Sequence, residues 1–389
     1  MNAHPGSVLA RVARVLAWPL CALVLAVALL VRAVAAPLRR RAGPDAGAGA
    51  LAAYVRGAAR WLTFRSDRFP ALFGRVAPET ESPGPWHEVR RRLAKNRLGM
   101  LAWIVVVLYL YVAIGAQLGW VAGGYRTLDA AAPYAAPQGI GAPHPFGTDQ
   151  VGGDVAAFAL RGVLTALWIG TLSALLACVI GTTFGACAGF FGGRVDAVIT
   201  WLYTTLESIP ELLLLLSFAY VLRKNPSFAD AYDGSFVKTT LGISVGLFTI
   251  VLAIGLTSWV GVCRTVRGEF IRHRDRDYVT AARALGIPTR RILFGHVLPN
   301  VFHLVLVSFS LLFIGAIKSE VILSFLGIGL DTGEASWGQM INHAKLELTR
   351  DPMVWWPLTA ATVLMFGLVL AVNLFTDALR DALDPKLKH

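Results

Sequence analysis

Two carboxylates inside an otherwise uncharged stretch are the clearest candidates for a chemical role in this sequence. Glu207 and Glu211 lie within 197–222, and Pro210 stands between them. Charged groups in a bilayer face a protein interior or a water-filled cavity, where acids line transport paths or relay protons. Because residues four apart share one face of a helix, both carboxylates can project from one face, and we predict that Glu207 or Glu211 faces a pathway. The structural alternative is that they pair with a neighbouring chain or stay protonated in a packed core.

A serine in a Gly-x-Ser-x-Gly pattern is a second candidate. Ser244 stands between Gly242 and Gly246, as the nucleophilic serine does in some hydrolases. That chemistry requires a strand–turn–helix and a separate acid and histidine, whereas this pattern begins an apolar stretch. We therefore interpret the pattern as a chance match and predict no catalytic residue.

Motifs for nucleotide and metal chemistry are missing from the sequence. It has no Gly-x-x-x-x-Gly-Lys-Ser/Thr phosphate loop and no His-Glu-x-x-His zinc motif. We therefore predict that the chain is not an enzyme, does not hydrolyse ATP itself and binds no cofactor or metal.

Apolar stretches form the elements that must position these side chains. The 389 residues are 56% hydrophobic and their mean hydropathy is +0.59, which is typical of a membrane protein. A helix needs about 20 mostly apolar residues to cross the bilayer. Spans are predicted at 15–31, 98–125, 162–193, 197–222, 239–263, 292–317 and 352–376. The predicted fold class is an all-α polytopic membrane protein, with six core helices and one N-terminal transmembrane helix.

Charge orients these spans. Residues 264–300 hold eight arginines against three acids, and residues 32–100 hold fourteen Lys and Arg against five acids. The positive-inside rule then predicts a cytoplasmic position for both segments and for the C-terminus, and an extracytoplasmic N-terminus. The net charge of +12 reflects this topology and attraction to anionic lipid headgroups, so no nucleic-acid partner is expected.

The chain divides into two parts. Residues 1–95 form an N-terminal extension, with the predicted span 15–31 and a basic cytoplasmic segment, and residues 96–389 hold the six core spans. The first span could be a cleaved signal peptide, but the arginines at 39–41 directly after it favour retention of an uncleaved helix.

Residues 275–300 are a charged, amphipathic helical hairpin between two apolar spans. One helix face over 277–285 carries residues at positions i, i+3, i+4 and i+7: Tyr278, Ala281, Ala282 and Leu285. This face is narrow and built mainly from alanine, so the surface of another protein can come close. Gly286 is predicted to cap the helix, and Pro288 to begin the next one.

This hairpin resembles the coupling-loop signature of ABC importer permeases, in which an Ala-Ala pair is followed by a glycine and later by Leu-Pro. It is most similar to the dipeptide, oligopeptide and nickel branch, although Thr280 stands where the signature has a glutamate. The resemblance implies a type I importer permease core over 96–389, with 264–300 as the coupling loop. It assigns coupling to an ATPase to these residues: Asp277, Tyr278, Ala281, Ala282, Leu285, Gly286 and Pro299.

Other motifs extend the resemblance from about residue 90 to the C-terminus. They include the Gly-Thr-Asp run at 147–149 and the Ser-Phe-Leu-Gly run at 324–327. We expect Asp149 and Asp154 to accept hydrogen bonds from free N–H groups at a turn and at a helix start. Glycines recur every four residues at 181, 185 and 189, which predicts close helix packing within this chain.

The resemblance also implies partners and a mechanism. It implies a permease subunit of an ATP-driven importer, for peptides, in the bacterial cytoplasmic (inner) membrane. A second homologous permease would complete the pathway, two ABC ATPase subunits would bind ATP and magnesium, and an extracytoplasmic binding protein would deliver the substrate. The alternative is a proton-coupled secondary transporter with Glu207 and Glu211 as its relay. Dipeptides, longer peptides, nickel complexes and other solutes all remain open as substrates.

Overall fold

The computed structural model describes residues 91–139, 143–225, 228, 230, 232, 243–331 and 333–383. The predicted span 15–31 and nearly all of the extension 1–95 lie outside the described residues. Within the described part the chain is helical, and the extended pairings there are two isolated bridges, Leu128–Gly153 and Thr148–Asp154. The predicted all-α fold class is confirmed.

The helices lie along the chain in the following order. In chain order they are α1 Arg97–Gln117, α2 Val155–Phe191, α3 Gly193–Glu207, α4 Glu211–Lys224, α5 Val245–Thr257, α6 Val260–Arg274, α7 Asp277–Ala284, α8 Thr289–Ile292, α9 Leu298–Phe325, α10 Trp337–Glu347 and α11 Trp356–Leu383. A π-helical turn, Leu293–Val297, joins α8 to α9.

Five segments of the described part are long and apolar enough to cross a membrane: α1, α2, α5 with α6, α8 with α9, and α11. A sixth span exists if α3 and α4 are counted together, but they are bent by 92°. The predicted span at 197–222 therefore corresponds to a bent pair of helices, and the described part has five or six core spans according to whether this pair is counted as one. Several predicted boundaries also move, because helices continue past charged residues; α9, for example, runs through Lys318 and Glu320 to Phe325.

α2 lies at the centre of the bundle and packs against α1, α5, α6, α9 and α11. Its closest approach is to α6, along the three glycines at 181, 185 and 189, here called the glycine seam. A Cβ added to any of the three would lie 2.6 Å from a carbonyl oxygen of the α6 segment. Those oxygens belong, in order, to Trp259, Cys263 and Arg267. The prediction that these glycines allow close packing within the chain is confirmed.

The two ends of the bundle differ in character. At one end, here called the arginine-rich end, Gly192 turns the chain from α2 into α3 with a φ of +63°. The end of α6 and all of α7 lie beside this turn. The other end is here called the loop end, and two tryptophans form hydrogen bonds there that link distant segments. Trp337 Nε1 donates to the carbonyl of Ala159, and Trp356 Nε1 donates to that of Thr148, both at 2.9 Å.

Candidate coupling surface and membrane-embedded charges

α7 ends in a hydrogen-bonding pattern that its glycine permits. The N–H of Gly286 donates to the carbonyl of Arg283 at 3.0 Å, and the N–H of Ile287 donates to that of Ala282 at 3.1 Å. These are the two bonds of a Schellman motif. Gly286 has a φ of +70°, a conformation that side chains with a Cβ rarely adopt. Pro288 then caps α8, so the predicted helix end and helix start are both confirmed.

α7 buries one side against its own chain and exposes the other. Val279 and Ala282 are 0% and 5% exposed, in a buried cluster that also includes the end of α2. Tyr278 and Leu285 are 37% and 79% exposed, and Ala281 is exposed as well. A partner can therefore reach α7 only from the side away from α2.

The prediction that four residues form one exposed face is wrong at Ala282. α7 lies across the end of α2 and against α8, so the side chain three residues after Val279 points into the core of this chain. Of the four predicted residues, Tyr278, Ala281 and Leu285 are accessible, and the neighbouring Asp277 is exposed as well. We call these three residues together with Asp277 the coupling surface.

Contacts to three helices hold α7 in place. The Tyr278 hydroxyl is 2.8 Å from His273 Nδ1 at the end of α6, and the Arg283 guanidinium lies 5.2 Å from the centre of the Phe190 ring of α2. Burial raises the pKa of Tyr278, and a hydrogen bond with the side chain of Asn300 opposes that shift. Pro299, the second residue of α9, directly precedes Asn300. The interaction of Asn300 with Tyr278 thus links α7 to the start of α9, next to Pro299.

The chain breaks between the two membrane-embedded carboxylates. α3 ends at Glu207 and α4 begins at Glu211, with Pro210 in an extended conformation as the residue before α4. Proline has no N–H to continue the helical ladder, so the chain changes direction by 92° here. The prediction that both carboxylates can project from one helix face is therefore wrong, because they belong to two differently directed helices.

Glu207 is paired within this chain. Arg264 of α6 donates a hydrogen bond to its carboxylate, and the two side chains are 56% and 41% exposed. Nearer the arginine-rich end, Arg267 of α6 holds Asp196 with two bonds, Nε to Oδ1 at 2.5 Å and Nη2 to Oδ2 at 2.7 Å. The structure thus gives Glu207 a partner within this chain.

Glu211 differs from Glu207. Its side chain is exposed, and no ion pair links it to any described residue. In a bilayer such a carboxylate requires water or a polar partner, so the side of the break that carries Glu211 is unsuited to lipid. Glu211 and Pro210 accordingly remain candidates for the pathway.

Sequence reasoning missed the two arginines as site residues. Arg264 and Arg267 were counted only as charges that orient the spans. They are three residues apart, and so share one face of a helix that continues an apolar stretch. That spacing could have indicated a common role for the two arginines. It does not indicate their partners, because Glu207 is 57 residues from Arg264 and Asp196 is 71 residues from Arg267 in sequence.

At the loop end, acidic side chains organise the chain before α2. Asp154 Oδ1 accepts from the N–H of Ala157 at 2.8 Å and caps α2, while Asp149 Oδ1 accepts from the N–H groups of Val151 and Gly153 at 2.9 and 2.7 Å. Both predicted turn and cap roles are confirmed.

A histidine joins two of the loop's acids. His144 Nδ1 lies 3.1 Å from Asp154, and Nε2 lies 3.5 Å from Asp129. The three side chains line an open cleft of about 410 Å³. The hydrogen bond with Asp154 raises the pKa of His144 above its ordinary value of 6.5, and Asp129 adds to this against the lowering effect of desolvation.

The loop should therefore be more firmly held in acid. A histidine whose pKa is raised by folding contributes stability that is complete below its ordinary pKa and is lost as the pH rises through the raised value. We expect amide hydrogen exchange in 143–153, corrected for the intrinsic rate, to be faster at about pH 8 than at about pH 5.5. His144→Gln should remove this difference, whereas His343→Gln, at an exposed position on α10, should keep it. Equal corrected rates at both pH values in the unchanged chain would contradict the assignment.

Family models match two parts of the chain. Residues 181–389 match the family described as binding-protein-dependent transport system inner membrane component. Residues 84–137 match the N-terminal TM domain of oligopeptide transport permease C. The first match covers the glycine seam, the break between α3 and α4, and the coupling surface.

Several curated proteins are similar over most of their length. The oligopeptide transport system permease protein OppC of Bacillus subtilis is 33% identical over 304 residues, which cover 78% of this chain and 90% of that protein. The dipeptide transport system permease protein DppC of the same organism is 31% identical over 311 residues, with 77% and 85% covered. A solved structure of the MetNI methionine ABC transporter, in inward-facing conformations, has a TM-score of 0.43 at 17% identity and covers 58% of this chain and 96% of that one.

Proposed function

Because this chain belongs to the family of binding-protein-dependent transport system inner membrane components, we propose that it is the permease subunit of an ATP-driven peptide importer. The observation that carries the substrate class is the identity of 31–33% to oligopeptide and dipeptide permeases over more than three quarters of the chain. Peptides are thus favoured over the nickel complexes that the sequence left open.

The proposed complex contains partners that supply what this chain lacks. A second homologous permease completes the pathway, two ABC ATPase subunits bind ATP and magnesium, and an extracytoplasmic binding protein delivers the peptide. The chain resides in the bacterial cytoplasmic membrane, with its C-terminus in the cytoplasm and its N-terminus outside. The eight arginines of 264–300 support this orientation.

The coupling surface is the proposed site of contact with an ATPase. It is exposed, it lies on a short helix with a capped end, and α7 is connected to a membrane span on each side through α6 and α9. A displacement of α7 therefore acts directly on two spans. The energy can come only from nucleotide that binds the two conformations of the complex with different affinities.

The candidate pathway residues are Glu207, Pro210 and Glu211, at the break between α3 and α4. A broken span places irregular backbone inside the membrane, which is tolerated where the backbone is buried in protein or lines a water-filled cavity. The exposed carboxylate of Glu211 suits a pathway that admits the positively charged amino terminus of a peptide.

The proton-coupled alternative is not favoured. The similar proteins are permeases of peptide transport systems, and Glu207, one member of the suggested relay, is tied to Arg264.

ATP-driven uptake in reconstituted vesicles tests the proposal. The chain would be reconstituted with the permease, ATPases and binding protein encoded beside it, and supplied with a mixture of labelled short peptides. We expect the ATPases to copurify with the chain and uptake to require both ATP and the binding protein. Uptake driven by an imposed proton gradient without nucleotide would contradict the proposal and support the alternative.

A further inference from the structure

α3 and α6 are joined by a row of charged and aromatic contacts, of which the proposed function uses only Glu207 and its pairing with Arg264. Arg267 holds Asp196 through two hydrogen bonds, and Arg264 binds Glu207. The Arg264 guanidinium also lies 5.5 Å from the centre of the Tyr203 ring, within the range of a cation–π contact. We call this row the charge ladder.

The spacing of the ladder places all its members on facing sides of two helices. On α3 its members lie at 196, 203 and 207, which are seven and then four residues apart and so share one face. On α6 its arginines are three residues apart. The lower-numbered carboxylate of α3 pairs with the higher-numbered arginine of α6, and the higher-numbered carboxylate pairs with the lower-numbered arginine. The ladder extends along eleven residues of α3, or about 16 Å.

The two ends of the ladder meet the two moving parts of the proposed transporter. One rung, Arg267–Asp196, is seven residues from the end of α6, and α7 begins at Asp277 after a two-residue turn. The other rung ends on Glu207, the last residue of α3, so that the break at 208–210 follows it directly. The charge ladder is therefore a continuous connection between the coupling helix and the broken span.

The chemistry of the rungs makes this connection resistant to slippage. An apolar contact between helices allows them to shift with little change in energy, whereas an arginine that leaves its carboxylate in a membrane leaves two charges without partners. The double hydrogen bond of Arg267 to Asp196 adds a directional constraint. A movement of α6 should therefore be followed by α3.

We propose that the charge ladder transmits displacement of the coupling helix α7 to the break at 208–210, and so opens and closes the broken span as nucleotide binds. The inference rests on the proposed function, since it requires ATPases that move α7. It gives Asp196, Arg264 and Arg267 the role of positioning residues, which act on the pathway through the break, and it makes the candidate pathway residue Glu207 also the last member of the ladder.

A cysteine at the break reports on this movement. Ser208 is exposed and directly follows the ladder, whereas Cys178, Cys187 and Cys263 are buried. In the assembled complex, Ser208→Cys would be labelled with a water-soluble maleimide, with and without ATP and vanadate, and the complex without this substitution would give the background. We expect the two labelling rates to differ by about tenfold, a usual size for coupling between sites.

Cutting the ladder should remove the difference. In the reporter background, Asp196→Asn combined with Glu207→Gln should bring the ratio of the two rates close to one, while the ATPases still copurify. A second variant in the reporter background keeps Asp196 and combines Glu207→Arg with Arg264→Glu, so that the two charges exchange positions but stay paired. This variant should show most of the original ratio, which a loss of general stability would not allow. The matched control is Glu269→Gln, which removes the partner of Arg272 on α6 and should leave the ratio unchanged.

The outcomes separate the inference from the proposed function. A tenfold ratio that persists in the cut ladder overturns the inference, as does a ratio near one in the uncut reporter of a complex that imports peptides. A complex without ATPases, or without ATP-driven import, overturns the proposed function and the inference with it.

Discussion

Replacing Gly185 with leucine is expected to prevent the chain from reaching a stable fold. Even a Cβ at this position would lie 2.6 Å from the Cys263 carbonyl oxygen, 2.9 Å from Val266 Cβ and 3.1 Å from the Arg267 N atom. Two of these three atoms belong to the backbone of α6, so a change of rotamer cannot make room. Overpacking a core usually costs about 1–3 kcal/mol, and a leucine in contact with a helix backbone should exceed that range. The measurement is the yield of monodisperse protein in detergent and its thermal midpoint.

A glycine of α6 provides the control for this experiment. Gly261 is exposed, and a Cβ added there would meet no atom within 4 Å. Gly261→Leu should therefore give nearly the yield and midpoint of the unchanged chain. If Gly185→Leu did the same, the close approach of α2 and α6 would be refuted.

Replacing Ala281 with tryptophan is expected to reduce peptide import by about tenfold or more, which corresponds to at least about 1.4 kcal/mol of lost coupling. Ala281 is exposed on the coupling surface, so an indole there would hold a docking ATPase away from α7 without disturbing the core of this chain. The measurements are ATP-driven uptake in vesicles, the amount of copurified ATPase and the yield of the chain.

Two further substitutions separate docking from folding. Ala130→Trp, at an exposed position in the loop before α2, should leave import close to normal. Ala282→Trp should instead lower the yield of the chain, because Ala282 is 5% exposed and the indole would have to enter the core. Normal import by Ala281→Trp, at normal yield and with the ATPase bound, would refute the assignment of the coupling surface.

Features that depend on neighbouring residues were predictable from the sequence. Gly286 and Pro288 end one helix and begin the next through local backbone chemistry, and Asp154 caps α2 through a hydrogen bond three residues away. The membrane spans were predictable for the same reason, because the length of an apolar run is enough to indicate a helix that can cross the bilayer.

Features that depend on distant segments were not predictable in the same way. Pro210 cannot continue the helical ladder, but no local pattern gives the 92° angle between α3 and α4. Ala282 shares the helical spacing of its exposed neighbours, and only the position of α2 beneath α7 shows that it is buried. The partner of Glu207 is Arg264, which is 57 residues away in sequence, so no local pattern identifies it.

The glycine seam limits the ways in which α6 can move. Its three close contacts cover eight residues of α2, about 12 Å, and each lies beside the Cβ of a larger α6 side chain, at Val262, Val266 and Phe270. A piston-like shift of α6 along α2 would drive these side chains into the backbone of α2. The same contacts permit rotation of the two helices as one body. A displacement of α7 should therefore tilt α2 and α6 together in the membrane, while the contacts along the glycine seam stay unchanged.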